Sequence, residues 1–152
     1  MLMPNRSLAP ALFTLLALLL VIPAPSSTAA TWTDTDRGAF ASCSGSNRIT
    51  CVVDGDTFWY RGRKIRIADI NAPEVSRPGC AREAALGAAA TRRLTELLNA
   101  GPFTLAIEGR ETDRYGRALR VVLRRGISLG VQLEREGRAE PWRGRRGDWC
   151  AV

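Results

Sequence analysis

The apolar residues of this chain change their spacing several times, and each change marks an element. Ala9 to Ile22 is an apolar run, too short to cross a bilayer comfortably. Thr31 to Asn47 is polar and rich in Ser, Thr, Asp and Gly, which predicts a flexible arm. Ile49 to Val53 and Thr57 to Tyr60 are β-type runs on either side of a turn at Gly55. After Arg61-Gly62-Arg63, Lys64 to Asp69 alternates, with Ile65 and Ile67 on one face and Lys64 and Arg66 on the other. Pro73 ends that strand because it has no amide hydrogen for a central ladder.

From Ala81 to Asn99 the period becomes helical. Leu86, Ala90, Leu94, Leu97 and Leu98 share a face, and Asn99, Gly101 and Pro102 mark the end. Phe103 to Glu108 predicts a strand and Arg110 to Gly116 a charged turn. Arg117 to Arg124 predicts another strand, in which Leu119, Val121 and Leu123 alternate with Arg120 and Arg124. Ser128 can cap a short helix through Glu136, ended by Gly137. Pro141 to Val152 is a basic, Trp-bearing tail. Three strands, a long helix, two strands and a short helix predict a mainly β chain with helices (α+β): a five-stranded OB-fold barrel with one long and one short helix. A generic α+β domain is the alternative.

Composition adds compartment and partner. The 152 residues make room for one core. With 22 Lys and Arg against 15 Asp and Glu, the net charge of +7 favours polyanionic partners. Lys64 is the only lysine, and arginine suits phosphate because its planar fork donates two hydrogen bonds at once. The absence of histidine excludes histidine triads, histidine general bases and HExxH zinc sites. Arg6, the apolar run, Pro23-Ala24-Pro25 and the small residues to Ala30 predict a signal peptide over 1–30, with an uncleaved anchor as the alternative. The expected organisation continues with an arm at 31–47, a domain at 48–142 and a tethered tail at 143–152. The expected location is secreted or periplasmic, without stable membrane association once the signal is removed, and the expected state is a monomer. Cys43, Cys51, Cys80 and Cys150 form an even set in an exported chain, so two disulfides are expected. Sequence permits three pairings, of which Cys43 with Cys51 and Cys80 with Cys150 is preferred.

The chemistry concentrates in Val52 to Glu74. Asp54 and Asp56 flank Gly55, and two carboxylates so close call for a cation or for hydrogen-bond donors. A plain Asp-Gly turn is the bland alternative. Arg66 and Arg117 could clamp a phosphate and offset its charge in a transition state. A carboxylate beside them, Glu74, could draw a proton from water. Each arginine alone reads as a surface charge; the constellation carries the inference.

Val52-Val53-Asp54-Gly55-Asp56-Thr57, Ile65-Arg66-Ile67 with Ala72-Pro73-Glu74, and Asp113-Arg114-Tyr115-Gly116-Arg117 resemble, in order and spacing, the three motifs of the thermonuclease family, the staphylococcal-nuclease-like domain. The resemblance covers about Ile49 to Trp142. The ending from Gly137 to Arg146 resembles the short secreted or periplasmic bacterial members. The resemblance implies an OB-fold and a Ca²⁺-dependent phosphodiesterase acting on DNA and RNA. It implies cleavage at the 5′ oxygen, leaving 3′-phosphates. It carries the catalytic positions onto Arg66, Glu74 and Arg117, and a calcium-ligand position onto Asp56. Asp54 and Thr57 fall around the ion. Tyr115, with Arg114 beside it, falls on phosphate contacts, and Trp142 near a base-stacking aromatic.

One position departs from the family. A second ligand carboxylate is replaced by Asn71, and Ala72 follows it. The Asn71 amide oxygen and the Ala72 backbone carbonyl remain as donors, with one negative charge fewer. Asp69, two residues earlier, is expected to compensate if the strand stays extended. A nucleic-acid-binding module without catalysis is the second functional reading, and a structural or inhibitory domain the third.

Overall fold

The structure is a computed structural model that describes residues 32–46 and 48–151. The predicted signal peptide lies outside the described residues. Five main strands form one sheet in the order β1 (Cys51–Asp54), β2 (Thr57–Tyr60), β3 (Arg63–Ile67), β6 (Ala118–Arg124) and β5 (Thr104–Ala106). β1, β2 and β3 make an antiparallel meander, β3 and β6 run parallel, and β5 returns antiparallel to β6. A parallel pair needs a long crossover. Here the crossover contains α1 (Ala81–Asn99) and β5. The sheet is therefore mixed and the fold α+β, of the OB type.

Three two-residue strands were not anticipated. β4 (Ile70–Asn71) pairs with β8 (Glu140–Pro141), and β7 (Ile127–Ser128) pairs with β6. β4 and β8 fasten the start of the tail beside the acidic turn. The short helix α2 (Leu129–Arg135) begins at Ser128, whose Oγ accepts from the Val131 amide as the sequence predicted.

Phe58, Ile65, Ile67, Leu94, Leu98 and Phe103 lie fully inside the core, between the sheet and the apolar face of α1. Complete burial of side chains this size contributes about 1.5–3 kcal/mol each. At the C-terminus of α1, Arg124 donates to the carbonyls of Leu97, Gly101 and Pro102 at 2.8–2.9 Å. That satisfies acceptors a helix end leaves open. Burial lowers the Arg124 pKa from its ordinary value.

Residues 32–46 are not the loose arm that their polar composition suggests. Asp36 exchanges two backbone hydrogen bonds with Phe103, just before β5, at 2.8 and 2.9 Å. Farther along, Val52 of β1 donates to Ala41 and accepts from Cys43, both at 2.8 Å. The segment thus spans from the β5 edge to the β1 edge of the sheet. Phe40 fastens it by packing among Phe58, Tyr60 and Phe103, with ring centroids 5.8–6.1 Å away. The Asn99 side chain grips Phe40 on both sides, accepting from its amide and donating to its carbonyl at 2.8 Å. One aromatic residue outweighs the polar majority because its burial stabilises the whole segment.

The disulfides are Cys43–Cys51 and Cys80–Cys150. The first ties the segment to β1. The second joins the N-cap of α1 to the end of the tail across 70 residues. On loop entropy such a bridge stabilises by about 4 kcal/mol. Both are compatible with an extracellular location. No helix among the described residues is long and apolar enough to cross a membrane.

Candidate active site

A cleft of about 860 Å³ opens beside β3 and β4. Asp54, Asp56, Arg66, Asn71, Ala72, Glu74, Arg114, Tyr115, Arg117 and Trp142 all line it. The three separated motifs therefore converge on one surface. Thr57 stands behind, fully buried.

The floor is the acidic turn between β1 and β2. Gly55 is required there by space: a Cβ would lie 2.6 Å from that of Ala90 on α1 and 2.7 Å from that of Ala72. The turn can thus press against the helix. Asp56 is held on both oxygens. Thr57 Oγ1 donates to Oδ1 at 2.8 Å, and the Ala72 amide donates to Oδ2 at 2.9 Å. The Asp56 amide donates in turn to Asp54 Oδ1 at 3.1 Å. Burial, and next the neighbouring Asp56 charge, push the Asp54 carboxyl up to about 7.

Arg66, on the polar face of its strand as the alternation predicts, is buried. Its Nη1 donates to the Ile70 carbonyl at 2.8 Å and lies 3.2 Å from Asp56 Oδ2. It also donates to the Ile67 carbonyl. These anchors all fall on Nη1, which leaves Nε and Nη2 as donors for an anion in the cleft. Burial lowers its pKa from the ordinary value, opposed by Asp56 and reinforced by Arg117. The Trp142 ring centre lies 5.4 Å from the guanidinium carbon.

Arg117 is positioned by its own loop. Asp113 Oδ1 accepts from the Tyr115 and Arg117 amides, and Asp113 Oδ2 from Arg117 Nε at 2.7 Å. Although burial opposes it, these hydrogen bonds from Arg117 and Tyr115 hold the Asp113 pKa below the usual carboxylate value. Tyr115 is exposed at the loop tip, with Arg114 and Arg117 over its ring at 4.8 and 5.6 Å.

Glu74 sits in the turn before α1. Gly87, in the middle of that helix, costs about 1 kcal/mol of helix propensity relative to Ala. A Cβ there would stand 2.7 Å from the Glu74 carbonyl oxygen and 3.0 Å from that of Pro73. The glycine therefore lets the turn lie on the helix. Glu83, in the first turn of α1, fixes it further by accepting from the Glu74 amide at 3.1 Å and the Gly79 amide at 2.6 Å. Glu74 Oε1 accepts from the Val75 amide and the Ser76 hydroxyl at 3.3 Å. Its Oε2 pairs with Arg146 Nη1 at 2.9 Å.

Asp69 does not compensate for Asn71. Its Oδ2 accepts from Ser128 Oγ at 2.6 Å, so it is committed to the start of α2, and it does not line the cleft. β3 ends at Ile67 and β4 begins at Ile70, so the strand does not stay extended through Asp69. Asn71 has a different neighbour: its Nδ2 donates to Glu140 Oε1 at 3.0 Å. An aspartate at 71 would set two carboxylates together, whereas the amide supplies a donor. Glu140, Glu83, Asp113 and Arg146 are site residues the sequence reading gave no role. Only Asp113 and Glu83 carried a local signal, as a turn-forming Asp and a first-turn Glu.

The oxygens of Asp54, Asp56, Asn71 and Ala72 are hard donors of the kind a divalent cation takes. Among the described residues no group of three or more His, Cys, Asp or Glu side chains is arranged to hold a metal. The protein can therefore offer two carboxylates and neutral oxygens.

The structure is a small α+β domain of OB type with arginines and carboxylates lining one cleft, an arrangement suited to a phosphodiester. The sequence profile described as staphylococcal nuclease homologue matches residues 64–147, more than half of the chain. The chain belongs to that family, and membership indicates a nuclease-type function. No curated protein matches the chain at a significant level.

Proposed function

We propose that the protein is an exported, Ca²⁺-dependent phosphodiesterase that hydrolyses DNA and RNA to products with 3′-phosphates. The observation that carries this reading is the convergence of Arg66, Glu74 and Arg117 on one cleft beside the Asp54–Asp56 turn. Arg66 and Arg117 bind the non-bridging oxygens of the scissile phosphate. Glu74 accepts a proton from a water as its oxygen attacks phosphorus; the bond to the 5′ oxygen breaks, and that oxygen takes up a proton. Asp56, Asn71 and the Ala72 carbonyl would hold the cation, with Asp54 and Thr57 supporting Asp56. When bound, it supplies positive charge to polarise the phosphate. Tyr115 and Arg114 hold the strand at one end of the cleft, and Trp142 offers a face for a base. The clamp engages backbone rather than base edges, so little base preference is expected.

Incubation of the purified mature chain with single-stranded DNA and with RNA, in Ca²⁺ or in excess chelator, tests the reading. Cleavage in Ca²⁺ that the chelator abolishes supports it. Retained binding without cleavage at any Ca²⁺ concentration favours a binding module instead.

A further inference from the structure

The tail that follows β8 ends in a turn fastened at both ends. On one side the Trp142 amide donates to the Asp69 carbonyl at 2.8 Å. On the other, the Gly147 amide donates to Glu140 Oε1 at 2.6 Å, and Cys150 is bridged to Cys80. Between these points Arg145 and Arg146 face the same cleft as Arg66 and Arg117. The backbone is thus fixed, while the Arg146 side chain is 70% exposed.

In this state both oxygens of Glu74 are engaged. Oε1 accepts from Val75 and Ser76, and Oε2 pairs with Arg146 at 2.9 Å. A water must reach a carboxylate oxygen to give it a proton, and the Arg146 guanidinium occupies part of the approach to Oε2. The Arg146 side of the pair is largely solvated, so the arginine is held weakly and exchanges readily for another anion. A backbone phosphate can accept two hydrogen bonds from the guanidinium, whereas Glu74 offers Arg146 one oxygen here.

We infer that the disulfide-anchored tail is a substrate-length gate, in which Arg146 caps Glu74 in the free protein and leaves it for a backbone phosphate flanking the scissile one. Glu74 is then released by a polynucleotide and stays capped on a substrate with one phosphodiester. The inference rests on the nuclease reading and adds what that reading lacks, a reason for the tail to be bridged to the N-cap of α1. Arg146 acts on the chemistry through Glu74 and is a positioning residue in the free protein.

The test compares a dinucleoside monophosphate with a single-stranded decamer of the same base, in Ca²⁺, for the wild type, Arg146→Ala and Arg146→Lys. Arg146→Ala should raise kcat on the dinucleotide about two- to fivefold by freeing Oε2. It should raise KM for the decamer and make the slope of log KM against log salt shallower by about 0.7, as expected for one lost phosphate contact on a single strand. Arg146→Lys should restore that slope. Cys80→Ser/Cys150→Ser, which unties the tail and keeps a capping side chain at 80, should narrow the decamer-to-dinucleotide ratio in the same direction. An unchanged ratio in Arg146→Ala, or an equal fall on both substrates, overturns the gate and leaves the nuclease reading intact. A wild type that cleaves neither substrate overturns both.

Discussion

On the strand side of the cleft, Arg66 and Asp56 meet at 3.2 Å with both side chains about 10% exposed; on the tail side, Arg146 and Glu74 meet at 2.9 Å with side chains 70% and 22% exposed. The first pair has further donors and acceptors around it and no room to move. The second is a single ion contact in which the arginine is exposed and only the carboxylate is held by neighbours, Val75 and Ser76. Buried pairs are expensive to break from one side, whereas exposed ones contribute about 0–1 kcal/mol. One wall can therefore fix reacting groups, and the other can respond to what enters.

The contrast predicts a hierarchy of effects. Arg66→Ala should be the most damaging, lowering kcat about 10³-fold and also the melting temperature, because Asp56 loses its buried partner. Steady-state rates beside a thermal melt check both; a large loss of rate without any loss of stability would mean that the pair does not hold the strand wall. Gly87→Ala should come next. The methyl group displaces the Glu74 turn, and misplacement on this scale costs about 10²-fold in rate. Alanine favours the helix, so the melting temperature should move far less than the rate.

Asp54 gives a third prediction, with a definite sign. Its folded pKa of about 7 lies above the ordinary 3.8, raised by burial and by Asp56. The folded protein then binds the proton more tightly than the unfolded chain. The stabilisation is complete below the unfolded value and is lost as pH rises through the folded one. Without a divalent cation, stability should fall between about pH 4 and pH 7 by roughly 2–4 kcal/mol from this group. Asp54→Asn should flatten that slope, and Ca²⁺ should offset the loss in the wild type. Chemical denaturation at each pH is the measurement; parallel wild-type and variant profiles would refute it.

The smallest effect belongs to the exposed loop. Arg114→Ala should raise KM for a long single strand about two- to fivefold, leave kcat nearly unchanged, and weaken the salt dependence by about one phosphate contact.

What the sequence made legible was local. The bounds of α1 follow from its spacing and flanking residues, and Ser128 caps α2 because capping is a three-residue affair. Arg66, Glu74 and Arg117 could be singled out because each sits in a compact motif, and all three line one cleft. What was missed depends on distant partners. Phe40 is a lone aromatic in a polar stretch, and its role depends on Phe103, far along the chain. Asp69 looked free to face Asp56, but its partner Ser128 lies 59 residues away. Asn71 looked like a lost ligand until Glu140 came beside it. The Arg146–Glu74 pair spans 72 residues and has no periodic signature.

The central claim is that Glu74, on the same cleft as Arg66 and Arg117, serves as the base for phosphodiester hydrolysis. It is tested most directly by the single-turnover cleavage rate of a single-stranded oligonucleotide by the wild type and by Glu74→Gln, in Ca²⁺. The amide keeps the size of the side chain but cannot take the proton. A fall in rate of about 10²–10⁴-fold with oligonucleotide binding retained is the predicted result. Equal rates for the two proteins would contradict the account.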